Sequence, residues 1–149
     1  MVNMYKKIAM ALFIPMVPMA ALGSTVRAQP TKSVWDGVYT MDQANRGKQG
    51  YSEQCASCHG PELTGGEMAP ALAGGEFLAG WDGLTVGDLF ERIRISMPQN
   101  SPGSLSGAQN ADILAFMLAS NKFPAGETEL AKDAMVLKSI KFEAKKSGQ

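Results

Sequence analysis

Side chains that bind metals or carry redox chemistry are scarce in this sequence. Its 149 residues include two cysteines, Cys55 and Cys58, and one histidine, His59. A structural zinc site takes four ligands, typically from cysteine and histidine, and these residues fall short of that number. No βαβ pattern surrounds the cysteines, which argues against a thioredoxin-like redox pair. A structural disulfide stays open in an exported chain, although it leaves His59 without a role.

The charge balance gives no support for a nucleic acid partner. Lys and Arg together number 14, as do Asp and Glu, so the whole chain is neutral when histidine is uncharged. Without its first 28 residues the chain has 11 basic and 14 acidic residues, and this net charge of −3 offers no electrostatic basis for nucleic acid binding. Five lysines in the last eighteen residues predict a solvated basic tail, with a docking surface as the alternative: Lys132, Lys138, Lys141, Lys145 and Lys146.

Long apolar runs are absent except at the N-terminus. Lys6 and Lys7 precede an apolar segment, 8–22, and small residues precede a plausible cleavage point after Ala28. Two prolines inside the segment argue against a regular membrane-spanning helix. We therefore predict that residues 1–28 are a signal peptide, with an uncleaved N-terminal anchor as the alternative. Cleavage would leave a soluble periplasmic chain without a membrane span.

Cys55-Ala56-Ser57-Cys58-His59 forms the C-x-x-C-H pattern, the sequence signature of covalent c-type haem attachment. The two thiols add to the haem vinyl groups as thioethers, and the adjacent imidazole ligates the iron. On a helix, residues at i and i+4 project from one face, so Cys55 and His59 would address the same group. The pattern predicts one covalently attached haem c, bound by Cys55, Cys58 and His59, with His59 as a metal ligand.

A methionine is the natural second axial ligand, because the only histidine is already used and His/Met ligation suits electron transfer. Met97 is our predicted ligand, since Pro98 fixes the local backbone and 38 residues separate Met97 from His59. Met68 is the main alternative, but nine residues after His59 form a short path to the opposite haem face. Three other methionines follow the leader and are less suitable as ligands. Met41 precedes the first helix, Met117 lies on the apolar stripe of the third helix, and Met135 lies in the C-terminal extension.

Helical periodicity and capping signals predict three helices. The first runs from about Met41 to Cys55 and leads into the haem motif. Thr85 and Asp88 resemble a capping box before an amphipathic helix that ends near Ser96. Ser106 and Gln109 open a third helix, which Pro124 closes, with the apolar stripe Ile113, Leu114, Met117 and Leu118.

These elements divide the chain into four predicted segments. Residues 1–28 are the leader, 29–40 an irregular N-terminal arm, 41–124 the folded domain and 125–149 a C-terminal extension. Within the domain, 60–83 is rich in Gly and Pro, and we expect a long loop there. In the extension, a helical turn and an extended wrap both remain open for Leu130 to Phe142.

The ordered motifs resemble those of the class I (mono-haem) cytochromes c, especially small bacterial periplasmic members. The resemblance implies an all-α cytochrome c fold of about three to four helices around one haem, with long irregular loops. It implies a close crossing of the N- and C-terminal helices, a Pro70 carbonyl bonded to the His59 imidazole, and Leu72 packed on the haem plane. The motifs that carry it are Gly47, Tyr51, Cys55-x-x-Cys58-His59-Gly60, Pro70-Ala71-Leu72, Met97-Pro98 and the helix with Ile113 to Leu118.

A second resemblance concerns partners. The segment 94–106 is similar to cytochrome domains found beside bacterial quinoprotein dehydrogenases, which implies a periplasmic oxidoreductase as the partner type. We expect a soluble mono-haem electron carrier, not an enzyme, that docks transiently with periplasmic redox proteins. The alternatives are a haem enzyme or gas-binding sensor with a labile sixth ligand, and a fixed cytochrome subunit of a dehydrogenase complex.

Overall fold

A computed structural model describes residues 32–146 and residue 148. The predicted leader, 1–28, lies outside the described residues. Six α-helices and two strands of two residues each make up the regular structure of the described part, which confirms the predicted all-α class. In chain order these are β1 (Lys32–Ser33), α1 (Met41–Gln54), α2 (Ala56–His59), α3 (Gly75–Trp81), α4 (Val86–Ser96), α5 (Gly107–Ser120), α6 (Ala134–Leu137) and β2 (Ile140–Lys141), with a 3-10 turn at Val34–Asp36.

Side-chain caps fix where the three long helices begin. The hydroxyl of Thr40 accepts a hydrogen bond from the backbone N–H of Gln43 at the start of α1. Thr85 and Ser106 each form a complete capping box, with Asp88 and Gln109 respectively. These contacts satisfy N–H groups that have no partner within the helix. The predicted starts of α4 and α5 are therefore confirmed, and so are the capping boxes from which they were predicted.

Helices α1 and α5 cross at a glycine. A Cβ atom on Gly47 would overlap the backbone carbonyl of Asp112 in α5, so the two backbones touch there without an intervening side chain. Gly50 lies one turn further on and faces the side chain of Ile113 instead. At the edge of this crossing, Arg46 bonds the Asp112 carboxylate at 3.0 Å. The close helix crossing implied by the resemblance is thus present, and Gly47 is the residue that permits it.

The segment 60–83, predicted as a loop throughout, contains α3. Gly74 adopts a positive φ of 90° immediately before this helix, and Phe77 is the helix residue that becomes buried. The helix is short and contains Gly75 and Gly80, so its sequence shows little apolar periodicity. Tertiary burial of one aromatic side chain outweighs the low helix propensity of glycine here.

The described residues of the arm, 32–40, and those of the extension pack against the predicted 41–124 unit. Strands β1 and β2 pair in parallel, with Lys32 opposite Ile140. Both possibilities for the extension occur, because α6 is one helical turn and the residues after it are extended. The extension buries Leu130, Leu137 and Phe142 in the same hydrophobic core as α1, α4 and α5.

A polar clamp also ties the extension to the first helix. The Gln43 side chain donates to the backbone carbonyl of Leu130 at 3.0 Å and accepts from its N–H at 2.7 Å. Gln43 is buried, so this pairing replaces the two hydrogen bonds that the backbone would otherwise make with water. As for membranes, none of the helices in the described residues has the length and apolar character needed to cross a bilayer.

Candidate haem-attachment site

The C-x-x-C-H residues form one tight turn between two helices. Helix α1 ends at Gln54, and Cys55 takes a non-helical φ of −126° before α2 begins. The backbone N–H of His59 still donates to the Cys55 carbonyl at 3.0 Å, which closes the i to i+4 interval. The predicted binding residues Cys55, Cys58 and His59 therefore lie within one turn of backbone.

Both cysteines carry free, partly buried thiols. The structural disulfide left open by the sequence is therefore not formed in this structure. Burial, together with the neighbouring Cys58, raises the pKa of the Cys55 thiol to about 11. The Cys55 thiol is consequently protonated at neutral pH and behaves as a neutral group at the edge of the apolar core.

The His59 imidazole is held in one orientation. His59 is only 7% exposed, and its Nδ1 atom lies 2.8 Å from the carbonyl oxygen of Pro70. Because a carbonyl oxygen only accepts hydrogen bonds, Nδ1 carries the proton in this contact, which leaves Nε2 as the ring nitrogen that can ligate a metal ion. The Pro70 contact implied by the family resemblance is thus present, and one ring nitrogen is ready to coordinate a metal ion.

Tyr51 supports the attachment turn from α1. Its hydroxyl donates to the Gly60 carbonyl at 2.6 Å, and its ring packs against Phe116 of α5 at 5.3 Å between centroids. Burial is the main reason that the pKa of Tyr51 is raised to about 12, and electrostatic repulsion from Glu62 and from Cys55, whose thiol ionises only at high pH, adds to it. The phenol therefore stays a hydrogen-bond donor throughout the physiological pH range.

The predicted ligand Met97 lies on a different element. It follows α4 directly, its N–H donates to the Ile93 carbonyl at 2.9 Å, and its side chain packs against the hydrophobic core. Met68, the alternative ligand, is 77% exposed in the loop between α2 and α3. The structure thus brings three of the four predicted residues into one turn, and the role of Met97 stays a prediction.

The donor set fits a c-type haem. Two thiols three residues apart can form two thioethers, and the adjacent imidazole leaves Nε2 available as a ligand on the same turn. The other ring nitrogen, Nδ1, is hydrogen-bonded to the backbone carbonyl of Pro70, as is typical of metal-ligating histidines. We find no disagreement between these residues and the cofactor that the motif predicts.

Two residues that shape the site have no clear signal in the sequence. Leu63 adopts a positive φ of 58°, and its carbonyl accepts hydrogen bonds from both Leu72 and Ala73. Asn121, at the end of α5, bonds the backbone of Leu72 and Gly74. An asparagine after a helix is typical of a helix end, so its spacing from the motif gives no hint of these contacts.

Comparison with protein families identifies the class. Residues 42–117 match the family described as cytochrome c oxidase, cbb3-type, subunit III. The match spans half of the chain, and the chain belongs to this family of c-type cytochrome domains. It is a mono-haem cytochrome c with one covalently attached haem c, as predicted, and a cytochrome c domain indicates electron transfer.

Comparison with curated proteins gives no match. A solved structure that the chain is similar to is the sulfane dehydrogenase SoxCD from Paracoccus pantotrophus, with a TM-score of 0.48 and 24% sequence identity. The aligned region covers 72% of this chain and 61% of that chain. The chain therefore spans less than two thirds of the length of that structure.

Proposed function

We propose that the protein is a soluble mono-haem electron carrier of the periplasm without substrate turnover of its own. Cys55 and Cys58 would tether the haem, and His59 and Met97 would ligate its iron. When bound, the haem supplies a centre that gains and loses single electrons. The observation that carries the proposal is the His59 imidazole, fixed by Pro70 beside two free thiols.

The exposure of the methionines supports Met97 as the second ligand. Met68, Met41 and Met135 are 77%, 53% and 74% exposed, whereas Met97 packs against the edge of the core. Met117 is fully buried in α5 and belongs to the packing of that helix. A ligand on the apolar side of the site would also exclude water from the iron, which favours a six-coordinate carrier over an open catalytic site.

The charge around the attachment turn supports a partner with a basic face. Residues 49–91, which we term the cation-free segment, contain seven acidic residues and no Lys or Arg. Glu62 and Glu67 are exposed, and neither forms an ion pair within the described part of the chain. Glu62 acts electrostatically on Tyr51, and a Cβ on Gly66 would lie 3.9 Å from the Cys58 carbonyl, so both glutamates flank the motif.

Docking by such a surface is weak and salt-dependent, as expected for redox partners that exchange electrons and separate. Membership in a c-type cytochrome family indicates export, and the predicted signal peptide 1–28 supports a periplasmic location. The resemblance of segment 94–106 to domains beside quinoprotein dehydrogenases supports an oxidoreductase as electron donor.

Absorption spectroscopy of the haem-matured protein tests this function. We expect low-spin c-type spectra in both oxidation states, and a weak red charge-transfer band from sulfur ligation in the oxidised state. Acid–acetone extraction should leave the pigment on the polypeptide, because the thioethers are covalent. High-spin spectra with rapid carbon monoxide binding to the reduced protein would contradict the carrier and favour the haem enzyme or gas sensor.

A further inference from the structure

Asn121 joins the end of α5 to the loop that orients the histidine. Its Nδ2 group donates to the Leu72 carbonyl at 3.0 Å and to the Met117 carbonyl at 2.9 Å. Its Oδ1 atom accepts from the Gly74 N–H at 3.0 Å. Asn121 is 8% exposed, and both N–H groups and the oxygen of its buried amide have hydrogen-bond partners. The amide is therefore oriented unambiguously, because the two carbonyls require the Nδ2 end and the N–H requires the Oδ1 end.

The bonds reach the part of the loop that adjoins Pro70. Leu72 is two residues beyond Pro70, and its N–H donates to the Leu63 carbonyl at 2.8 Å. The peptide groups on both sides of Leu72 are thus fixed, one by Leu63 and the other by Asn121. On the other side of Pro70, the Gly66 N–H donates to the Ala69 carbonyl at 2.9 Å. The Pro70 carbonyl is therefore held between two anchored stretches of backbone. The stretch before it reaches α2 through the Gly65 N–H, which donates to the His59 carbonyl at 2.8 Å, and the stretch after it reaches the end of α5 through Asn121.

Asn121 anchors the 70–74 side to a long helix. Leu63, the other backbone partner of this stretch, belongs to the same irregular loop and has its side chain buried in the core, whereas Asn121 directly follows a helix that crosses α1 at Gly47. Irregular backbone without an external anchor opens locally at low cost in free energy. Asn121 also lies beyond residues 42–117, which match the family. The anchor is therefore a feature of this chain that the matched family region does not include.

We propose that Asn121 is a positioning residue for the haem ligand: it fixes the 70–74 backbone so that the Pro70 carbonyl stays bonded to His59 Nδ1. The inference rests on the proposed role of His59 as an axial ligand. A hydrogen bond that pulls on the Nδ1 proton makes Nε2 a stronger donor to the iron and favours the oxidised state. Loss of the Asn121 bonds should weaken that contact and raise the reduction potential.

The experiment compares two buried asparagines at opposite ends of α5 in the haem-loaded protein. Asn121→Leu removes the anchor of the loop whose Pro70 carbonyl is bonded to His59. Asn110→Leu is the matched control, because Asn110 is fully buried near the start of α5 and its amide donates to the carbonyls of Leu105 and Ser106, away from the Pro70 loop. The readouts are hydrogen exchange of the His59 Nδ1–H by NMR in the reduced state, and the midpoint potential.

We expect Asn121→Leu to accelerate exchange of the Nδ1–H about tenfold, the factor for loss of roughly one buried hydrogen bond. Its midpoint potential should rise, whereas Asn110→Leu should leave the exchange rate unchanged. Wild-type exchange in Asn121→Leu, or equal acceleration in both variants, would overturn the proposal. Should Asn121→Leu fail to fold, Asn121→Asp retains an acceptor for Gly74 and removes donation to Leu72, and unchanged exchange in that variant would equally overturn it.

The spectra separate this inference from the proposed function. A low-spin wild-type spectrum with sulfur ligation, together with unaltered exchange in the Asn121 variants, would leave the carrier function intact and reject the positioning role. A high-spin wild-type spectrum would reject Met97 as a ligand, while faster Nδ1–H exchange in Asn121→Leu would still support the role of Asn121 toward His59.

Discussion

At the scale of single residues, the proposed ligand Met97 is what would distinguish an electron carrier from a reactive haem protein. Met97→Ala should retain the covalently attached haem, because Cys55 and Cys58 are unchanged. It should lower the reduction potential and open the iron to external ligands, since a thioether ligand favours the reduced state. The measurements are the midpoint potential, the red charge-transfer band and the rate of carbon monoxide binding.

Met68→Ala is the matched control for this prediction. Its side chain is 77% exposed, so its removal should change neither the spectrum nor the folding stability by more than about 0.5 kcal/mol. A Met97→Ala variant with the wild-type potential and charge-transfer band would show that another group ligates the iron. If Met68→Ala instead lost the band, the alternative ligand would be the correct one.

The sequence alone suffices to predict the attachment residues because their chemistry is local. Cys55, Cys58 and His59 lie within five consecutive residues, so one helical turn suffices to group them. Contacts made across the chain have no such signature. Asn121 reaches Leu72 across 49 positions, and neither residue is unusual in its own segment. The family resemblance supplied Pro70 as the partner of His59, and spacing alone would not have identified it.

At the scale of secondary structure, signals that act within a few residues predict helix starts, and burial decides the rest. Thr85 and Ser106 form capping boxes with side chains three positions away, so both starts are visible in the sequence. Helix α3 forms because Phe77 becomes buried against distant aromatic residues, among them Phe142 at 6.0 Å. No pattern within α3 itself reports that contact.

The helix crossing gives a prediction with opposite outcomes at two neighbouring glycines. Gly47→Ala should destabilise the protein by about 3 kcal/mol, because its Cβ would meet the Asp112 backbone, which cannot rotate away. Gly50→Ala is the control: its Cβ would lie 3.2 Å from the flexible side chain of Ile113, and alanine favours the helix by up to ~1 kcal/mol. Denaturant unfolding of the haem-loaded variants measures both. Equal stabilities would contradict a backbone contact at Gly47.

The extension gives a second prediction at this scale. Phe142 is completely buried and makes edge contacts with Phe77 and Phe123, so Phe142→Ala should cost about 3–5 kcal/mol of unfolding free energy. Val136→Ala, at a position 57% exposed in the same extension, should change stability by less than about 0.5 kcal/mol. Thermal or denaturant unfolding compares them. A stability loss below about 1 kcal/mol at Phe142 would mean that the extension is a dispensable tail.

At the scale of the whole molecule, the uneven distribution of charge matters more than its total. Along the sequence, the cation-free segment contains the haem motif, whereas five lysines lie in the last eighteen residues. Some of those lysines are paired, as Lys138 is with Glu91 at 3.6 Å and Lys141 with Glu143 at 3.1 Å. Glu62 and Glu67, which flank the motif and form no ion pair in the described part of the chain, are therefore the acidic groups through which the charge beside the motif is tested.

Small inorganic oxidants measure this local charge without a protein partner. Glu67→Lys should speed oxidation of the reduced protein by anionic hexacyanoferrate(III) and slow oxidation by cationic tris(phenanthroline)cobalt(III). The expected change is about threefold to tenfold at low ionic strength, from two unit charges acting on a trivalent ion at roughly 10 Å. Stopped-flow rates across a series of salt concentrations measure it, and the effect should vanish at high salt.

Glu127→Lys provides the matched control, because Glu127 is exposed outside the cation-free segment and its replacement changes the net charge equally. If electrons leave beside Glu67, Glu127→Lys should change both rates less than Glu67→Lys does, and the difference should be clearest at about 0.1 M salt, where the Debye length is about 10 Å. Equal effects of both substitutions would show that only the total charge matters. No effect of Glu67→Lys with either oxidant would place electron exchange on another face, and a partner with a basic surface would then lose its support.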